Sequence, residues 1–247
     1  MNRFFISQPV ISGNIITMQD KEQVHHLKSV LHLKLKEPVV VFDKDGNEYS
    51  CLVSGLGNSV ALEIKNRRVF DKANIKLTFT IACAIPKKAK FDDIVDKLTQ
   101  LGVAKIIPLI TERVVVKFDR KKESLRLGRW RKIAQSAAEQ SQRRDIPEIT
   151  TINNFKELLS LSPCFDLKLI PTLSGQRKSL EQVFSLSSFS SMVNILVLIG
   201  PEGDFSDEEI NLAKDAGFIP ITLGDLVLRV DTAAIAVASY IRFYAHD

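Results

Sequence analysis

The spacing of apolar and polar positions changes along the chain, and the change divides it into two parts. In the first part, short apolar or alternating runs at residues 39–42, 48–53 and 60–64 are separated by turns rich in Asp, Asn and Gly. Such runs predict strands, and helical spacing occurs only at residues 25–31. Closely spaced short strands joined by tight turns are typical of a small β-barrel.

In the rest of the chain, strand-like apolar runs alternate with helical patterns. Residues 75–83 and 103–110 predict buried strands, and apolar residues three and four positions apart between them predict a helix that ends at Gly102. A long helix over residues 123–142 and a strand near residues 167–170 continue the alternation. This order indicates an α/β fold, with a largely parallel sheet covered by helices on both faces.

The first of two glycine-containing turns follows a continuous apolar run at residues 194–199. The turn reads Gly-Pro-Glu-Gly from residue 200, and its glycines allow a ligand to approach the backbone closely. Ser206 and Glu209 then form the pattern of a capping box, which predicts a helix that ends at Gly217.

The second turn, residues 224–229, follows the apolar run 218–223. It precedes a final helix that we expect Asp231 or Thr232 to cap and that runs to about Tyr244. Turns after parallel strands place backbone N–H groups around a ligand at one edge of a sheet. Either turn alone would fit an ordinary strand-to-helix connection, but the two together predict a small-molecule pocket.

Length and composition set limits on the protein class. The 247 residues, 45% of them hydrophobic, allow one large core or two modest ones, and with the change in spacing they predict two domains, residues 1–72 and 73–247. The longest apolar runs are strand-sized and the first residues lack the apolar core of a signal peptide, so we expect a cytoplasmic protein. Three widely separated cysteines and four histidines without metal-ligand spacing predict reduced thiols and no metal site.

Charge is distributed unevenly along the chain. Residues 73–150 carry 17 basic and 9 acidic side chains, whereas residues 151–247 carry 7 and 12. A basic middle beside an acidic end predicts a polyanionic partner, for which nucleic acid is the natural candidate. The alternative is that the basic residues form a solvated helix face. Similarly, Trp130 fits either a platform for base stacking or the core face of an amphipathic helix.

Motifs in a fixed order resemble the RsmE family of ribosomal RNA methyltransferases, within the SPOUT superfamily. The two turns are similar to the family's Gly-Pro-Glu-Gly-Gly-Phe and Leu-Gly-x-x-Ile-Leu-Arg-x-Glu-Thr-Ala motifs. The other matching segments are His26-Leu27 with Val30-Leu31, Leu101-Gly102-Val103, Glu112-Arg113 with Lys117, Arg129-Trp130-x-Lys132-Ile133, and Glu139-Gln140-Ser141-x-Arg143 followed by Ile146-Pro147. The resemblance therefore extends through most of the chain.

The resemblance implies a carboxyl-terminal SPOUT-type trefoil-knotted domain with a parallel sheet, preceded by a small PUA-like β-barrel that binds RNA. Periodicity alone would suggest a Rossmann-like sheet, and the knot comes from the resemblance. It further implies a homodimer that uses S-adenosylmethionine to methylate N3 of a uridine in 16S ribosomal RNA. The substrate would be small-subunit RNA within an assembled or nearly assembled subunit.

The same resemblance implies the site residues. Those expected to bind S-adenosylmethionine are Pro171, Thr172, Leu173, Leu198, Gly200, Pro201, Glu202, Gly203, Leu223, Gly224, Val227, Leu228 and Ala233, although the loop after residue 170 would equally fit a plain turn. Those expected to contact RNA are His26, His32, Lys88, Arg113, Lys117, Arg143 and Arg144.

Arg229, Asp231 and Glu202 are the catalytic candidates. The Arg229 guanidinium would stabilise negative charge that develops on the uridine ring, because it presents several fixed donors. Glu202 or Asp231 would accept the N3 proton or orient Arg229. The alternative is that Arg229 is only the salt-bridge partner of one of these carboxylates.

The chain departs from the family pattern at positions that border the predicted pocket. Asp204 stands in place of the second Gly of the first turn, Leu226 in place of a frequent Arg, and Asp231 in place of Glu. These departures leave open a catalytically weak or silent RNA-binding or ribosome-assembly protein of the same fold. A SPOUT methyltransferase with another RNA nucleotide as its target is the remaining alternative.

Overall fold

The computed structural model describes residues 2–71, 77–86, 90–113, 120–173, 175–186 and 193–244, and for His26, Val30, Arg120 and Lys121 it describes the backbone only. The chain divides into two compact units. The amino-terminal unit comprises Met1–Lys72 with Ala138–Ile146, and the carboxyl-terminal unit comprises Ala73–Ala137 with Pro147–Asp247. Residues 138–146, which the sequence analysis assigned to the second domain, thus group with the first unit.

The amino-terminal unit is built on a sheet of six described strands. They are β1 (Asn2–Ile6), β2 (Val10–Ser12), β3 (Ile15–Met18), β4 (Pro38–Asp43), β5 (Glu48–Leu56) and β6 (Val60–Arg68). Their order is β1-β4-β5-β6-β3-β2, with β1 parallel to β4 and the other neighbours antiparallel. Helix α1 (Lys21–His25) continues into a π-helical segment, His26–Val30.

Alternation of side chains along β5 produces the core of this unit. Tyr49, Cys51 and Val53 are buried, whereas the residues between them are partly exposed. Burial also raises the pKa of the Cys51 thiol to about 11. These side chains pack with Ile16 and Leu62 in one cluster, so the period of two that predicted the strands also decides which side chains form the core.

The carboxyl-terminal unit is built on a parallel sheet of eight described strands. They are β7 (Leu77–Ala84), β8 (Lys105–Ile110), β9 (Glu148–Ile149), β10 (Asn153–Asn154), β11 (Leu167–Pro171), β12 (Lys178–Ser179), β13 (Val193–Ile199) and β14 (Ile219–Thr222). Their order is β10-β8-β7-β13-β11-β14-β12, and β9 pairs with β8. Every pairing among them is parallel.

Helices connect these strands. They are α2 (Lys90–Gln100), α3 (Arg120–Gln140), α4 (Phe155–Leu161), α5 (Leu180–Leu186), α6 (Asp207–Asp215) and α7 (Val230–Tyr244), and a 3₁₀ turn, Ser162–Cys164, follows α4. Helix α7 packs against α2 and against β7. No helix within the described residues combines the length and the apolar composition needed to cross a bilayer.

Strand β13 lies inside this sheet, between β7 and β11. Its residues from Ile195 to Ile199 are 1% exposed or less, as the continuous apolar run predicted. Because the strands are parallel, their carboxyl ends share one edge of the sheet. The loops that follow β11, β13 and β14 are therefore brought together even though they are far apart in sequence.

The helix termini show which local sequence signals were sufficient to predict where a helix begins. The Ser206 hydroxyl accepts from the Glu209 N–H at 3.3 Å and the Glu209 carboxylate accepts from the Ser206 N–H at 3.0 Å, so the predicted capping box is confirmed. The prediction that Asp231 or Thr232 caps α7 was wrong. The helix begins at Val230, before both of these residues, and the Ala233 N–H already donates to the Arg229 carbonyl at 2.8 Å.

Trp130 belongs to the core, as the simpler of the two interpretations predicted. It is 2% exposed, its ring centroid lies 4.5 Å from that of Phe91, and its indole N–H donates to the Asp92 carboxylate at 3.1 Å. The sequence analysis missed the short helix α4, although Asn154 and Glu157 form a capping box at its start. Helices of about two turns give too short a pattern for periodicity to detect.

Candidate active site

A cavity lies at the carboxyl edge of the parallel sheet, among the loops that follow β11, β13 and β14. Predicted ligand-binding residues that line it are Pro171, Thr172, Leu173, Gly200, Pro201, Glu202, Leu223, Gly224, Val227, Leu228 and Ala233. Residues that line it without having been predicted are Arg177, Ile199, Asp204, Leu226 and Val230. The strand order thus gathers three separate loops and the first turn of α7 around one space.

Two predicted residues do not line this cavity. Leu198 is completely buried within β13 and packs in the core of the unit. Gly203 is exposed in the first turn, and a Cβ atom there would lie 3.6 Å from the Arg113 side chain. Of the residues that were missed, Asp204 was visible as a departure from a Gly-Gly pattern, whereas Arg177 carried no signal that places it here.

The first turn is shaped by the aromatic ring beneath it. A Cβ atom at Gly200 would lie 2.9 and 3.0 Å from two ring atoms of Phe205. Phe205 is 1% exposed, and its ring centroid lies 5.6 Å from that of Phe155. Packing against Phe205 therefore favours glycine at position 200.

The turn after β14 needs glycine for its backbone conformation. Gly224 has φ +107°, and a Cβ atom there would meet no atom within 4 Å. The Thr222 hydroxyl accepts from the Gly224 N–H and donates to its carbonyl, both at 3.2 Å. Leu226 and Val227, which line the cavity, are 78% and 69% exposed. Apolar side chains thus stand at its rim rather than within a core.

Hydrogen bonds connect the loop after β8 to the first turn and to the start of α6. The Glu209 carboxylate, only 6% exposed, accepts from the Glu112 N–H at 2.9 Å in addition to its bond within the capping box. The Arg113 guanidinium donates to the Gly203 carbonyl. A residue predicted to contact RNA therefore also touches the turn that borders the cavity.

Two catalytic candidates lie near one buried thiol. Cys83, at the end of β7, has no exposed surface; burial raises its pKa, and the negative charges of Asp231 and Glu202 raise it further. The thiol stays protonated as a result, and both carboxylates lie near the carboxyl end of β7. Glu202 lines the cavity and is exposed, whereas Asp231 is half-buried in the first turn of α7.

Arg229 directly precedes α7 and is exposed. It does not line the cavity, but its neighbours Leu228 and Val230 do. Within the described part of the chain its side chain forms no salt bridge and no hydrogen bond, so the pairing with Asp231 or Glu202 does not form. Its guanidinium is free to meet a ligand.

The residues predicted to bind RNA differ in their exposure and in their contacts within the protein. Arg143 pairs with the Asp145 carboxylate at 2.9 Å and its side chain is only 10% exposed. Arg144 lies over the Phe70 ring, 5.7 Å from its centroid, and is partly exposed. His32 is exposed, while Lys88, Lys117 and the side chain of His26 lie outside the described residues. Among the described residues, no group of three or more His, Cys, Asp and Glu side chains could hold a metal ion.

Known proteins resemble this chain in sequence and in fold. A model of the RNA methyltransferase domain matches residues 73–242, and a model of the RNA methyltransferase PUA domain matches residues 19–65. Ribosomal RNA small subunit methyltransferase E of Mesomycoplasma hyopneumoniae is 33% identical over 235 residues, which are 95% of this chain and 96% of that relative. The chain belongs to the ribosomal RNA small subunit methyltransferase E family. Its counterpart in Bacillus subtilis is 28% identical over 90% of this chain and 88% of its own length.

Solved structures of methyltransferases have the same fold over the full chain. Methyltransferase E of Neisseria gonorrhoeae, bound to S-adenosylmethionine, superimposes with a TM-score of 0.85 at 29% identity and covers 99% of this chain and 98% of that one. A methyltransferase of Legionella pneumophila with the same bound cofactor gives 0.86 at 30% identity, covering 98% and 97%. The predicted parallel α/β sheet and the PUA-like amino-terminal domain are confirmed for this member of the methyltransferase E family.

Proposed function

We propose that this protein methylates N3 of a uridine in 16S ribosomal RNA with S-adenosylmethionine as the methyl donor. The observation that carries the proposal is the cavity formed by three loops at the carboxyl edge of the sheet. Relatives from Neisseria and Legionella with this fold hold S-adenosylmethionine. Relatives at 28% and 33% identity are ribosomal RNA small subunit methyltransferases.

The chemistry of the cavity suits that cofactor. S-adenosylmethionine carries a sulfonium and an ammonium, which are positive, and one carboxylate. The cavity is lined by two carboxylates, Glu202 and Asp204, and by one guanidinium, that of Arg177. Apolar walls from Leu223, Val227 and Leu228 and backbone groups of the glycine turns are what an adenosine needs for burial and hydrogen bonding.

The side chains of the protein then have to align the nucleophile, N3 of the uridine, and remove its proton. When bound, S-adenosylmethionine supplies an activated methyl carbon, so the protein mainly aligns the uridine and manages its proton. N3 of uridine is a weakly acidic imide, and the negative charge that develops as its proton leaves spreads onto the ring oxygens. The exposed guanidinium of Arg229, which has no salt bridge or hydrogen bond to the described residues, is our candidate to stabilise that charge. Glu202 and Asp231 are the candidates to accept the proton.

RNA binding is proposed to use the basic residues that are exposed. Among the described arginines, Arg113 is exposed and Arg144 is partly exposed, so both are better placed than Arg143, whose side chain is largely buried in its ion pair with Asp145. Contacts of this kind with phosphates provide affinity with little sequence preference. The target uridine has to be exposed or flipped to reach the methyl donor.

The assembly and location of the protein also stay proposals. We propose a homodimer in the cytoplasm that acts on an assembled or nearly assembled small subunit, with a knotted carboxyl-terminal domain. The end of α7 supports a dimer, since Phe243 is 67% and Tyr244 37% exposed there. Large exposed apolar side chains of this kind are common in subunit interfaces.

Cofactor binding is tested with a larger side chain that projects into the cavity from α7. Ala233 lines it from the first turn of α7, so Ala233→Leu should weaken S-adenosylmethionine binding by about tenfold or more in calorimetry, because added methyl groups occupy space that the ligand needs. The matched control is Ala236→Leu, the same change at an exposed position of the same helix. Equal affinity in both variants would place the binding site elsewhere.

Catalysis is tested with small ribosomal subunits from a strain that lacks this enzyme. The wild-type protein should introduce one methyl group at uridine N3, detectable by mass spectrometry of nuclease fragments. Arg229→Ala should slow the reaction by about 10²-fold with little change in cofactor or RNA binding, since it removes charge stabilisation only at the transition state. RNA binding without methylation would favour a silent assembly protein, and a methyl group on another nucleotide would favour a different target.

A further inference from the structure

One peptide group in the wall of the cavity forms hydrogen bonds to side chains through both its N–H and its C=O. It joins Thr172 to Leu173, in the loop after β11. The Leu173 N–H donates to the Asp204 carboxylate at 2.9 Å, and the Thr172 carbonyl accepts from the Arg177 guanidinium at 3.0 Å. One bond acts on the N–H and the other on the C=O of the same unit, so together they fix the orientation of the peptide plane.

Asp204 connects two loops that are separated in sequence. Its second carboxylate oxygen accepts from the Phe205 N–H at 2.9 Å, and its own N–H donates to the Pro201 carbonyl at 3.0 Å. The carboxylate therefore spans from the turn after β13 to Leu173, 31 residues away along the chain. Both hydrogen bonds to its oxygens involve an ionised acceptor, which makes them stronger than bonds between neutral groups.

The backbone of Asp204 has a conformation that favours glycine. Its φ is +63°, in the left-handed region that glycine adopts at lower cost than a residue with a Cβ atom. Glycine would relieve the backbone strain at this position but would lose both hydrogen bonds to the carboxylate. The aspartate is compatible with this backbone because short polar side chains tolerate it, and it adds the link to Leu173 that glycine lacks.

We propose that Asp204 is a positioning residue that fixes the Thr172–Leu173 peptide for ligand binding, with Arg177 acting on the other side of the same peptide. The proposal rests on the proposed function, because the ligand is taken to be S-adenosylmethionine. A wall that is already ordered before the ligand arrives loses less conformational entropy on binding, and affinity rises accordingly. Asp204 thus acts through the loop that it holds.

The test compares Asp204→Gly with the wild-type protein in two measurements. In the cofactor-free protein, amide hydrogen exchange at Leu173 should become about tenfold faster or more, because its acceptor is gone. The thermal midpoint should fall only slightly, because relief of the positive φ by glycine offsets part of the lost hydrogen bonding. In calorimetry, S-adenosylmethionine should bind about tenfold more weakly. Asp207→Asn, which removes a negative charge from the exposed first turn of α6 and does not border the cavity, is the control for charge alone and should change neither measurement.

Arg177→Ala provides an independent check on the same peptide. If both side chains act on it, the double variant with Asp204→Gly should weaken binding by less than the product of the two single effects. Failure of the wild-type protein to bind S-adenosylmethionine would refute the proposed function, and the exchange rate at Leu173 would still report on the loop. Wild-type binding together with unchanged Leu173 exchange, or with unchanged affinity, in Asp204→Gly would refute the positioning role.

Discussion

Replacing Gly200 by alanine should destabilise the protein through a contact below the cavity. The new Cβ atom would lie 2.9 and 3.0 Å from two ring atoms of Phe205 and 3.4 Å from a third. Carbon atoms in favourable contact are about 3.5–4.0 Å apart, so either the ring or the turn must move by roughly half an ångström. The ring has little room, because Phe205 is 1% exposed and packs against Phe155.

The expected loss is that of an overpacked core. Adding a methyl group that a close-packed neighbour cannot avoid costs about 1–3 kcal/mol. For a protein of this size, each kcal/mol lowers the thermal midpoint by about 2–4 °C. Gly203→Ala is the matched control in the same turn, since its Cβ atom would lie an ordinary 3.6 Å from the nearest atom, in the Arg113 side chain. We expect that variant to stay within about 0.5 kcal/mol of the wild type.

The assay is chemical unfolding of the two variants, followed by a double-mutant cycle. Phe205→Leu removes the ring atoms that the new methyl group meets, so combining it with Gly200→Ala should lose about 1 kcal/mol less than the sum of the single losses. Equal stability of the Gly200 and Gly203 variants, or strict additivity in the cycle, would refute the packing argument. Gly200 would then be explained by ligand approach alone.

Three further predictions concern other parts of the molecule. Glu209→Ala should lower the free energy of unfolding by about 3 kcal/mol, because two backbone N–H groups lose the carboxylate that accepts from them. Glu208→Ala, at an exposed position in the same helical turn, should lower it by less than about 0.5 kcal/mol, and similar losses in the two variants would contradict the argument. Stability should fall as pH rises from about 9 to 11, because burial raises the pKa of the Cys51 thiol to about 11 and the same thiol ionises at lower pH in the unfolded chain. Cys51→Ala should reduce this dependence in pH-dependent unfolding without removing it, because the buried Cys83 thiol, whose pKa is also raised, contributes as well. Arg113→Ala and Arg144→Ala should each reduce the slope of log affinity for ribosomal RNA against log salt by about 1 in filter binding, and unchanged slopes would indicate solvated faces.

Local sequence determined the elements that border the cavity. The apolar run at residues 194–199 is long enough for a strand and lacks the spacing of a helix, and it forms β13. Ser206 and Glu209 are close enough in sequence to satisfy each other's backbone groups, so the start of α6 could be read directly. Gly217 likewise ends that helix with a φ of +83°. In each case the deciding interaction spans only a few residues.

The start of α7 and the role of Trp130 show where local signals were insufficient. Asp231 and Thr232 are good caps by composition, yet α7 already begins at Val230, which is 3% exposed. Burial of that side chain outweighs the preference for a polar cap. The sequence left Trp130 with two interpretations, and packing against Phe91 on another helix decided between them.

The composition of the cavity wall was decided by tertiary structure. Strand pairing in the order β7-β13-β11-β14 places loops together that are separated by about 20 to 50 residues in sequence, and no local pattern encodes that order. The contacts of Asp204 with Leu173 and of Arg177 with Thr172 exist only after these strands have paired. The sequence therefore determined which turns could surround a ligand, through short-range hydrogen bonding and periodicity, whereas long-range strand pairing decided which side chains hold those turns in place.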